Sequence, residues 1–536
     1  MDNKAIAGIL YETADLLEID GQDSFRIRSY RTAAQAIEAL PDQVSDLIVE
    51  PKKLLEVPGI GKGMLSKLQE IFKEGRLGLH AELLQKYRPS MLELLRIQGL
   101  GPKTIALIWS AYQICDLEGV EKLAREGKIR ILPRMGEKHE QKLLKAIEDY
   151  RRIGGRFLLD AAGQLAEKLV EHLSQVEGVD KVTPAGSLRR GRDTIGDLDV
   201  LVTGAACVDD DCRHKLVQHL IRFPGLMEII AQGENKISFR QRSGMQVDVR
   251  LLPPDSFGAA MQYFTGSKAH NVALRQRALK MGFTLSEYSL ARLDNEKVVA
   301  GKTEEEIYAK LKLDYIPPEL RENQGEIEAA ADHKLPTLIS QTDIQGDVHM
   351  HTVETDGRCT IEEMAEAARA RGYKYMAITD HSKNLAFANG LDDKRAVEHI
   401  ARIRVANEKI DGIRIFAGVE VDILADGTLD LSDEVLAQMD IVIASVHSHF
   451  NQERAQMTDR FLKAIANSNV SLIGHPTGRI LLRRDAYSLD LDAILKSAAE
   501  HKVAMELNSY PDRLDLCDSH LRLAKRYGVK IVINTD

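Results

Sequence analysis

The sequence predicts a multidomain protein with an α-helical N-terminal region, a central α+β region and a C-terminal α/β barrel. Three observations support this prediction. The first ~150 residues carry apolar side chains at helical spacing and few strand-like runs. An apolar strand with two carboxylates follows, and beyond residue 340 apolar runs end in or near histidines and carboxylates. A chain of 536 residues is also too long for one hydrophobic core.

The composition, 44% hydrophobic and 29% charged, is typical of a soluble globular protein. No apolar run of about 18 residues is present, and the N-terminus lacks the pattern of a secretory signal, so we expect no membrane association. Five cysteines without C-x-x-C spacing predict reduced thiols in the cytoplasm and argue against a zinc finger. The net charge of −9 argues against a uniformly positive surface, although bound metal cations would invert the local field at carboxylate sites.

A glycine motif repeats in the helical region. Val57-Pro58-Gly59-Ile60-Gly61 recurs as Ile97-Gln98-Gly99-Leu100-Gly101, and Leu132-Pro133-Arg134-Met135-Gly136 is a weaker third copy. The first two copies precede lysine-bearing amphipathic segments and resemble the helix-hairpin-helix motif, in which a glycine turn lets a helix N-terminus approach a DNA phosphate. The resemblance implies a structural third copy and DNA contacts from Gly59, Gly61, Lys62, Gly99, Gly101 and Lys103.

The central strand carries a candidate metal site. Asp197 and Asp199 are two residues apart, so they point to the same face of a strand, and Asp248 lies in a second strand pattern over residues 246–251. Three carboxylates can hold two divalent cations for phosphoryl transfer. A solvated edge strand is the alternative for a lone D-x-D, but this strand reads as buried, and buried carboxylates need partners.

Upstream of this strand stands Gly186-Ser187-Leu188-Arg189-Arg190-Gly191, and downstream stands Tyr263-Phe264-Thr265-Gly266-Ser267. Together these segments resemble the palm and the nucleotide-selecting segment of the family X DNA polymerases, members of the nucleotidyltransferase superfamily. The resemblance implies that Mg²⁺ or Mn²⁺ is held by Asp197, Asp199 and Asp248. It further implies that the triphosphate is cradled by Gly186, Ser187 and Arg190. The sugar would face Tyr263, Phe264 and Gly266, while Asn271 contacts the base and Arg275 senses the nascent base pair.

Some members of the family use a lysine of the first helical domain as an abasic-site lyase, through a Schiff base with the sugar. Lys67 falls at the matching position, but Gly63 and Arg26 stand where the best-known lyases have lysine. Two interpretations of Lys67 therefore stay open, a lyase nucleophile and a plain solvent or phosphate contact, and we favour the contact.

Histidines and carboxylates mark the ends of apolar runs in the last third of the chain. These runs are 347–351, 377–381, 418–422, 441–447, 472–476 and 530–536. Helical segments separate them, which predicts a β/α barrel with its active site at the C-terminal strand ends. Imidazole and carboxylate ligands suit manganese, zinc or iron. Any single histidine could be an ordinary core residue, and we assign that role to His399, His449, His501 and His520, which lack the strand-end context.

This region resembles the polymerase-and-histidinol-phosphatase (PHP) domain that is fused to bacterial polymerases. The resemblance implies a distorted (β/α)₇ barrel with phosphoesterase chemistry, and in bacterial family X enzymes 3′–5′ exonuclease and sometimes abasic-site endonuclease activity. It implies metal ligation by His349, His351, Asp356, His381, Glu420, His447, His475 and Asp536. The family pattern ends in D-x-H, whereas the sequence stops at Asp536, so we expect a C-terminally incomplete domain that lacks one ligand.

The predicted domains are a helical domain with a helix-hairpin-helix (1–90), a second, fingers-like helical domain (91–151), the palm (152–252), a thumb-like domain (253–313), a linker (314–340) and the PHP domain (341–536). The predicted function is a cytoplasmic, monomeric DNA-directed DNA polymerase that fills short gaps in DNA repair and edits with a 3′–5′ exonuclease. Gapped or primer–template DNA and deoxynucleoside triphosphates are its expected partners. Two alternatives remain: a phosphoesterase with a vestigial polymerase, and a PHP domain that only stabilises the polymerase.

Overall fold

The computed structural model describes residues 3–38, 40, 44–49, 51–57, 59–87, 90–95, 97, 99–133, 135–153, 155–385 and 388–536. Pro58, Gln98 and Arg134 of the glycine repeat lie outside this set. The chain divides into two structural units, residues 1–155 and residues 156–536. None of the helices in the described ranges has the length and hydropathy that a membrane crossing requires.

The first unit is α-helical in its described residues, as the apolar spacing predicts. Its core is formed by buried aliphatic side chains such as Leu10, Ala34, Leu68 and Ile105. Helix α1 packs along α2, and Asp116 caps α9 by accepting a hydrogen bond from the Gly119 amide at 2.8 Å. The helices are α1 (Asn3–Ile19), α2 (Ser24–Glu38), α3 (Val44–Leu47), α4 (Pro51–Glu56), α5 (Lys62–Glu74), α6 (Gly78–Lys86), α7 (Ser90–Leu94), α8 (Pro102–Tyr112), α9 (Leu117–Arg125) and α10 (Glu137–Ile153).

The second unit opens with a five-stranded mixed sheet in the order β2-β4-β7-β6-β5, in which β4 and β7 are parallel. Buried Leu198, Val200 and Val249 of the sheet form one core with Leu169 and Leu216 of the flanking helices. The elements are β1 (Phe157–Leu158), α11 (Leu159–Ser174), β2 (Lys181–Pro184), α12 (Gly186–Arg189), β3 (Thr194–Ile195), β4 (Asp197–Thr203), α13 (Asp210–Ile221), β5 (Leu226–Gln232), β6 (Lys236–Gln241) and β7 (Gln246–Leu252).

A smaller helical region with a three-stranded antiparallel sheet follows. Its elements are α14 (Phe257–Thr265), α15 (Lys268–Lys280), β8 (Phe283–Leu285), β9 (Leu290–Arg292), β10 (Val298–Ala300), α16 (Glu304–Lys310) and α17 (Glu326–Ala331). The structure differs here from the linker predicted at 314–340. Ile316, Ile327 and Ala330 are buried in the core of this region, so the segment packs against it instead of leaving it. These apolar residues are widely spaced in a polar, Glu/Gln-rich stretch, so the sequence pattern does not indicate that they are buried.

The last region is a parallel sheet of seven strands that follow one another in chain order. Its first and last strands approach each other, because the Asp536 amide donates to the His349 carbonyl at 3.0 Å and the Val348 amide donates to Asn534 Oδ1 at 3.1 Å. The sheet therefore nearly closes into a barrel. The elements are β11 (Gly346–Asp347), α18 (Ile361–Ala370), β12 (Tyr375–Ile378), α19 (Asp393–Lys409), β13 (Arg414–Asp422), α20 (Asp433–Leu436), β14 (Ile441–Ser445), α21 (Arg454–Ala466), β15 (Leu472–Ile473), α22 (Leu491–His501), β16 (Ala504–Asn508), α23 (Asp518–Tyr527) and β17 (Ile531–Asn534).

The predicted fold class, helical hairpins followed by an α+β palm with a thumb and a seven-stranded barrel, is confirmed. Two details differ. Strand β11 ends at Asp347, so His349 and His351 lie in the loop after it, although they were predicted on the strand. Strand β16 was not among the six runs singled out in the sequence.

Candidate active sites

Three carboxylates lie close together on β4 and β7, two neighbouring inner strands of the five-stranded sheet. Asp199 on β4 pairs in register with Asp248 on the parallel strand β7, and Asp197 lies two residues before Asp199 on the same face. Burial, together with the negative charges of Asp197 and Asp248, raises the pKa of Asp199 to about 7. A bound cation would relieve the repulsion between these negative charges. The arrangement therefore fits a divalent metal site.

Lys236 on β6 adds a positive charge that the sequence interpretation missed. Its Nζ lies 2.6 Å from Asp248 Oδ2. Burial alone would raise the pKa of Asp248, but hydrogen bonds from Lys236, Ser238 and Gln246 lower it below the usual value. The two-residue period of β6 puts Lys236 and Ser238 on one face, and the pairing of β6 with β7 brings that face to Asp248.

The turn before β4 requires glycine at position 186. Gly186 has a φ of +59°, and a Cβ on it would lie 2.5 Å from Asp199 Oδ2. The Ala185 amide also donates to the Asp199 carbonyl at 2.8 Å. The turn that carries Ser187 is therefore packed directly against the carboxylate site, where a triphosphate would lie close to bound cations.

Both arginines of this turn contact the thumb. Arg190 Nε donates to Glu322 Oε1 at 2.8 Å, and its Nη1 donates to the Thr265 carbonyl. Arg189, which the sequence interpretation did not use, donates to Glu304 Oε2 at 2.6 Å and to Thr265 Oγ1 at 2.7 Å. Arg190 is thus held by two thumb partners at one edge of the proposed triphosphate site.

The segment predicted to select the nucleotide forms one contact group at the end of α14. The rings of Tyr263 and Phe264 meet edge to face at 5.0 Å, and the Arg275 guanidinium lies 5.4 Å from the centre of the Tyr263 ring. Asn271 is buried and its amide is engaged, because it donates to the Tyr263 carbonyl at 2.7 Å and accepts from Gln262 at 2.7 Å. Each of these bonds uses one of the two donors or one of the two acceptor positions of the amide, so the side chain is held in place while one N–H and one lone pair remain. Gly266 ends α14 with a φ of +71°.

The two glycine motifs of the first unit each lead into a helix N-terminus. Gly61 caps α5 and Gly101 caps α8, while Gly59 and Gly99 have φ values of +97° and +93°. A Cβ on Gly59 would lie 2.8 Å from Thr32 Cγ2, so the turn is fitted against α2.

The basic side chains of these motifs differ in their contacts. Lys62 is exposed, and Lys103 is 85% exposed with its Nζ 3.8 Å from Glu18. Lys67 donates to the Gly63 carbonyl at 3.2 Å and lies 5.4 Å from the Tyr30 ring centre. Lys62 and Lys103 are therefore the freer of the three to meet a phosphate.

All eight predicted ligands of the barrel converge around Glu420, at the end of β13. Glu420 lies 2.8 Å from His381 Nδ1, 3.0 Å from His475 Nε2 and 3.2 Å from His447 Nε2. His351 Nε2 lies 3.1 Å from Asp536 Oδ1. Seven of the eight fall into three overlapping groups that could each hold an ion, and His475 lies outside these groups: His349, His351, Glu420 and Asp536; His351, Asp356 and His381; and His381, Glu420 and His447.

The donor atoms of this cluster suit metal ligation. Within the described residues, five buried atoms of the cluster make no hydrogen bond of good geometry, although His381 Nδ1 and Glu420 Oε2 lie 2.8 Å apart: His349 Nε2, His351 Nδ1, His381 Nδ1, His475 Nδ1 and Glu420 Oε2. Burial would lower the pKa of His381 and His447, but the charge of Glu420 reverses this and raises them to about 10 and about 9. The protonated His381 and His447 thus balance the charge of Glu420, a role that a bound cation could take over.

A second layer of residues orients these ligands. Glu506 on β16 lies 2.7 Å from His349 Nδ1 and accepts from the His475 amide at 2.6 Å. Asp380 lies 2.8 Å from His399 Nε2 and accepts from the Thr352 amide at 2.8 Å. Burial would raise the pKa of Asp380, but hydrogen bonds, the first from His399, lower it to about 2. His399 thus supports the loop after β11 and is absent from the three groups of candidate ligands.

Glu506 is the main functional candidate that sequence reasoning missed. Carboxylate partners of this kind fix the ring orientation of metal-binding histidines. The run Val503-Ala504-Met505-Glu506 has the same form as the recognised strand ends, an apolar stretch closing on a carboxylate, and could have revealed it.

These features define a class of protein, a metal-dependent enzyme with a carboxylate palm and a histidine-rich barrel in one chain. Four family models match it: a helix-hairpin-helix domain at residues 1–77, a SAM-like helix-hairpin-helix tandem at 91–149, the DNA polymerase beta thumb at 260–322 and the PHP domain at 347–510.

Similar proteins support the division of the chain into a polymerase part and a phosphatase-like barrel. The DNA polymerase/3'-5' exonuclease PolX of Bacillus subtilis (strain 168) is 38% identical over 540 residues, which cover 100% of this chain and 92% of the relative. Probable phosphatases of Caldicellulosiruptor saccharolyticus and Thermoanaerobacter sp. (strain X514) are 31% and 32% identical over 202 and 201 residues. These cover 36% and 35% of this chain and 80% and 77% of the relatives.

The chain belongs to the bacterial family X DNA polymerases that carry a PHP domain. This membership confirms the predicted combination of polymerase and 3′–5′ exonuclease. The polymerase and PHP regions imply dependence on divalent metals, and DNA and nucleotides as substrates. The individual site residues and the domain boundaries stay predictions.

Proposed function

We propose that this enzyme fills short gaps during DNA repair with its palm and trims 3′ ends with its barrel. The observation that carries the proposal is the presence of two separate metal-type sites in one chain. One is the carboxylate group Asp197, Asp199 and Asp248, and the other is the histidine cluster around Glu420. Gapped or primer–template DNA and deoxynucleoside triphosphates are the proposed substrates. The helix-hairpin-helix turns at Gly59 and Gly99 would grip DNA phosphates through backbone amides.

In the palm, we assign Asp197, Asp199 and Asp248 to bind Mg²⁺ or Mn²⁺, with Asp248 nearest the primer 3′-hydroxyl. When bound, these ions neutralise charge on the attacking and leaving oxygens. Gly186, Ser187 and Arg190 hold the triphosphate beside them. The primer 3′-oxygen loses its proton to a water molecule and bonds to the α-phosphorus, the bond from this phosphorus to the bridging oxygen breaks, and pyrophosphate leaves. The chain contributes mainly positioning and charge complementarity.

In the barrel, the ligands are His349, His351, Asp356, His381, Glu420, His447, His475 and Asp536, and the metals are manganese, zinc or iron. When bound, these ions neutralise the phosphodiester and lower the pKa of a water molecule. Glu506 and Asp380 hold the ligand loops in place. Abasic-site endonuclease activity is a second use of the same site, and Lys67 is assigned to phosphate contact instead of lyase chemistry. We also propose that the enzyme acts as a monomer in the cytoplasm, where its free cysteines stay reduced.

The test separates the two sites. Asp197→Ala should abolish primer extension on gapped DNA while manganese-dependent 3′ degradation persists, and His349→Ala should do the reverse. A loss of both activities in either variant would contradict the two-site assignment. Persistence of extension in Asp197→Ala, or of degradation in His349→Ala, would show that the assigned residue is not essential. An intact barrel without nuclease activity would leave it a stabilising module.

A further inference from the structure

The loop that follows the turn with Ser187 and Arg190 contacts the barrel through two side chains. Two residues beyond Arg190, Arg192 Nη1 donates to Asp518 Oδ2 on the barrel at 3.1 Å. The next residue, Asp193, accepts from Arg479 Nη1 of the barrel at 3.0 Å. The palm loop is therefore held on one side by the thumb, through Arg190, and on the other side by the barrel.

The two ion pairs between the palm loop and the barrel differ in how much they are exposed to water. The side chains of Arg192 and Asp518 are 35% and 53% exposed, and exposed pairs of this kind contribute little. The side chains of Asp193 and Arg479 are 29% and 16% exposed, so water screens their charges less. Asp193 and Arg479 form the contact that matters.

The guanidinium of Arg479 is held by hydrogen bonds within the barrel as well as by its contact with the palm. Its Nε donates to the Arg513 carbonyl at 3.0 Å and its Nη2 donates to the Leu514 carbonyl. Only Nη1 extends to Asp193. A planar guanidinium with two donors fixed inside the barrel presents the third at a defined position, which a flexible lysine would not do.

The barrel segments that hold Arg479 also carry the histidine cluster. His475 begins the loop in which Arg479 lies, and Thr477 of that loop is bonded to Asp515, whose carboxylate accepts from its amide and hydroxyl at 2.9 Å. Arg513 Nε lies 3.7 Å from Asp536, another candidate ligand. One framework therefore supports both the barrel cluster and the contact with the palm loop.

We propose that Arg479 is a positioning residue for nucleotidyl transfer: through Asp193 it holds the palm loop in the conformation that binds the triphosphate. The inference rests on the proposed role of Gly186, Ser187 and Arg190. A loop that is ordered in advance binds its ligand more tightly, because binding does not have to order it. If the loop is competent for only a fraction of the time, the apparent affinity for the nucleotide falls by that fraction.

The experiment is single-turnover primer extension on gapped DNA with Asp193→Asn, Arg479→Gln and the double variant of the full chain. Each single variant should raise the apparent Kd for the incoming nucleotide by roughly threefold to tenfold, as expected for a coupled charged pair, and change the maximal rate less than about twofold. In the double variant the apparent Kd for the nucleotide should be no higher than in the single variant with the higher Kd.

Two substitutions serve as matched controls. Arg483→Gln removes a guanidinium from the same barrel loop, where its side chain is 75% exposed and pairs within the barrel at 3.7 Å with Asp512. Asp180→Asn removes an exposed carboxylate from the palm. Both should leave the nucleotide Kd unchanged.

An unchanged Kd in Asp193→Asn or Arg479→Gln would overturn the proposal, as would additive effects in the double variant. If Arg479→Gln disturbs the barrel itself, Asp193→Asn still tests the contact, because its substitution lies in the palm. Failure of the palm assignment is distinguishable, since it would appear as full extension activity in Asp197→Ala.

Discussion

At the scale of single residues, the palm carboxylates depend on the absence of one side chain. Gly186 stands so close to Asp199 that a methyl group would occupy the space of the carboxylate oxygen. Its backbone is also left-handed, with a φ of +59°, which a residue with a Cβ adopts at a cost of about 1–2 kcal/mol. Glycine is thus required at this position for two separable reasons, shape and backbone conformation.

Gly186→Ala should therefore lower the rate of primer extension by about 100-fold or more, because displacement of a catalytic group by an ångström has effects of that order. Gly191→Ala is the matched control. Gly191 has a similar φ of +64°, but no atom lies within 4 Å of the position of its Cβ. Thermal melting should show the cost of backbone strain in both variants, with any further loss in Gly186→Ala arising from the contact with Asp199, and primer-extension rates should separate them. Equal loss of extension in both would refute the steric explanation.

Asp199 also predicts how metal binding depends on pH. Its pKa of about 7 means that the carboxyl carries a proton at pH 6 and loses it as the pH rises to 8. Since a cation must displace this proton, Mg²⁺ affinity should increase with pH by up to about tenfold per unit below the pKa and level off above it. Mg²⁺ titration calorimetry in buffers of different ionisation enthalpy, with His349→Ala to weaken the barrel site, would measure the released proton. Equal affinity at pH 6 and pH 8 would contradict this.

At the scale of elements, strand β16 supports two neighbouring ligands through Glu506. The carboxylate lies against His349 Nδ1, the His475 amide and the Asn534 side chain, which donates to it at 2.8 Å. Glu506 is fully buried, and although burial would raise its pKa, the positive charge of His349 lowers it. A strand that contributes none of the eight proposed ligands thus holds two of them in place.

Glu506→Gln keeps the shape of the side chain and removes its charge. Loss of such a carboxylate partner should weaken metal binding or nuclease activity by about 10- to 100-fold. Polymerase activity on the same gapped substrate should stay unchanged. Manganese titration of the 3′ degradation rate would measure the effect, with Glu500→Gln, on the exposed end of α22, as the control. Wild-type metal dependence in Glu506→Gln would exclude the orienting role.

Local sequence patterns lead to the candidate ligands, whereas the residues that support them depend on contacts distant in sequence. His381, Glu420 and His447 were recognised because a strand end with an imidazole or carboxylate is a local pattern. The run that ends at Glu506 has the same local form, but its orienting role depends on His349, which lies 157 residues away in sequence. Lys236 was missed because only strand pairing brings it to Asp248.

Tertiary packing also explains the differences in secondary structure. The segment 314–340 is polar and proline-bearing, which favours a linker, yet Ile316 and Ile327 fit the thumb core. His349 and His351 alternate as in a strand, but β11 ends before them because Asp347 accepts bonds from the His349 amide and from Thr535. Short periodic patterns do not contain this information.

At the scale of the whole molecule, metal binding should stabilise one unit selectively. The histidine cluster lies entirely within residues 156–536, so a bound cation stabilises that unit by mass action, by about 2.7 kcal/mol at 100 times the Kd. Differential scanning calorimetry with manganese and with chelator should show a shift of its transition only. His381→Ala should lose most of the shift, whereas His501→Ala, an exposed histidine on α22, should keep it. An equal shift in both variants would show that the ion binds elsewhere.

The near-closure of the barrel sets an order of assembly on the ribosome. Asp347 accepts bonds from Thr535, 188 residues further along, and the His349 carbonyl accepts from Asp536. Domains generally fold as they emerge during synthesis, N-terminal regions first. The palm carboxylates all lie before residue 250, so they can assemble while the ring is still open. Because the palm is synthesised first, we expect it to fold before the two ends of the barrel sheet can meet.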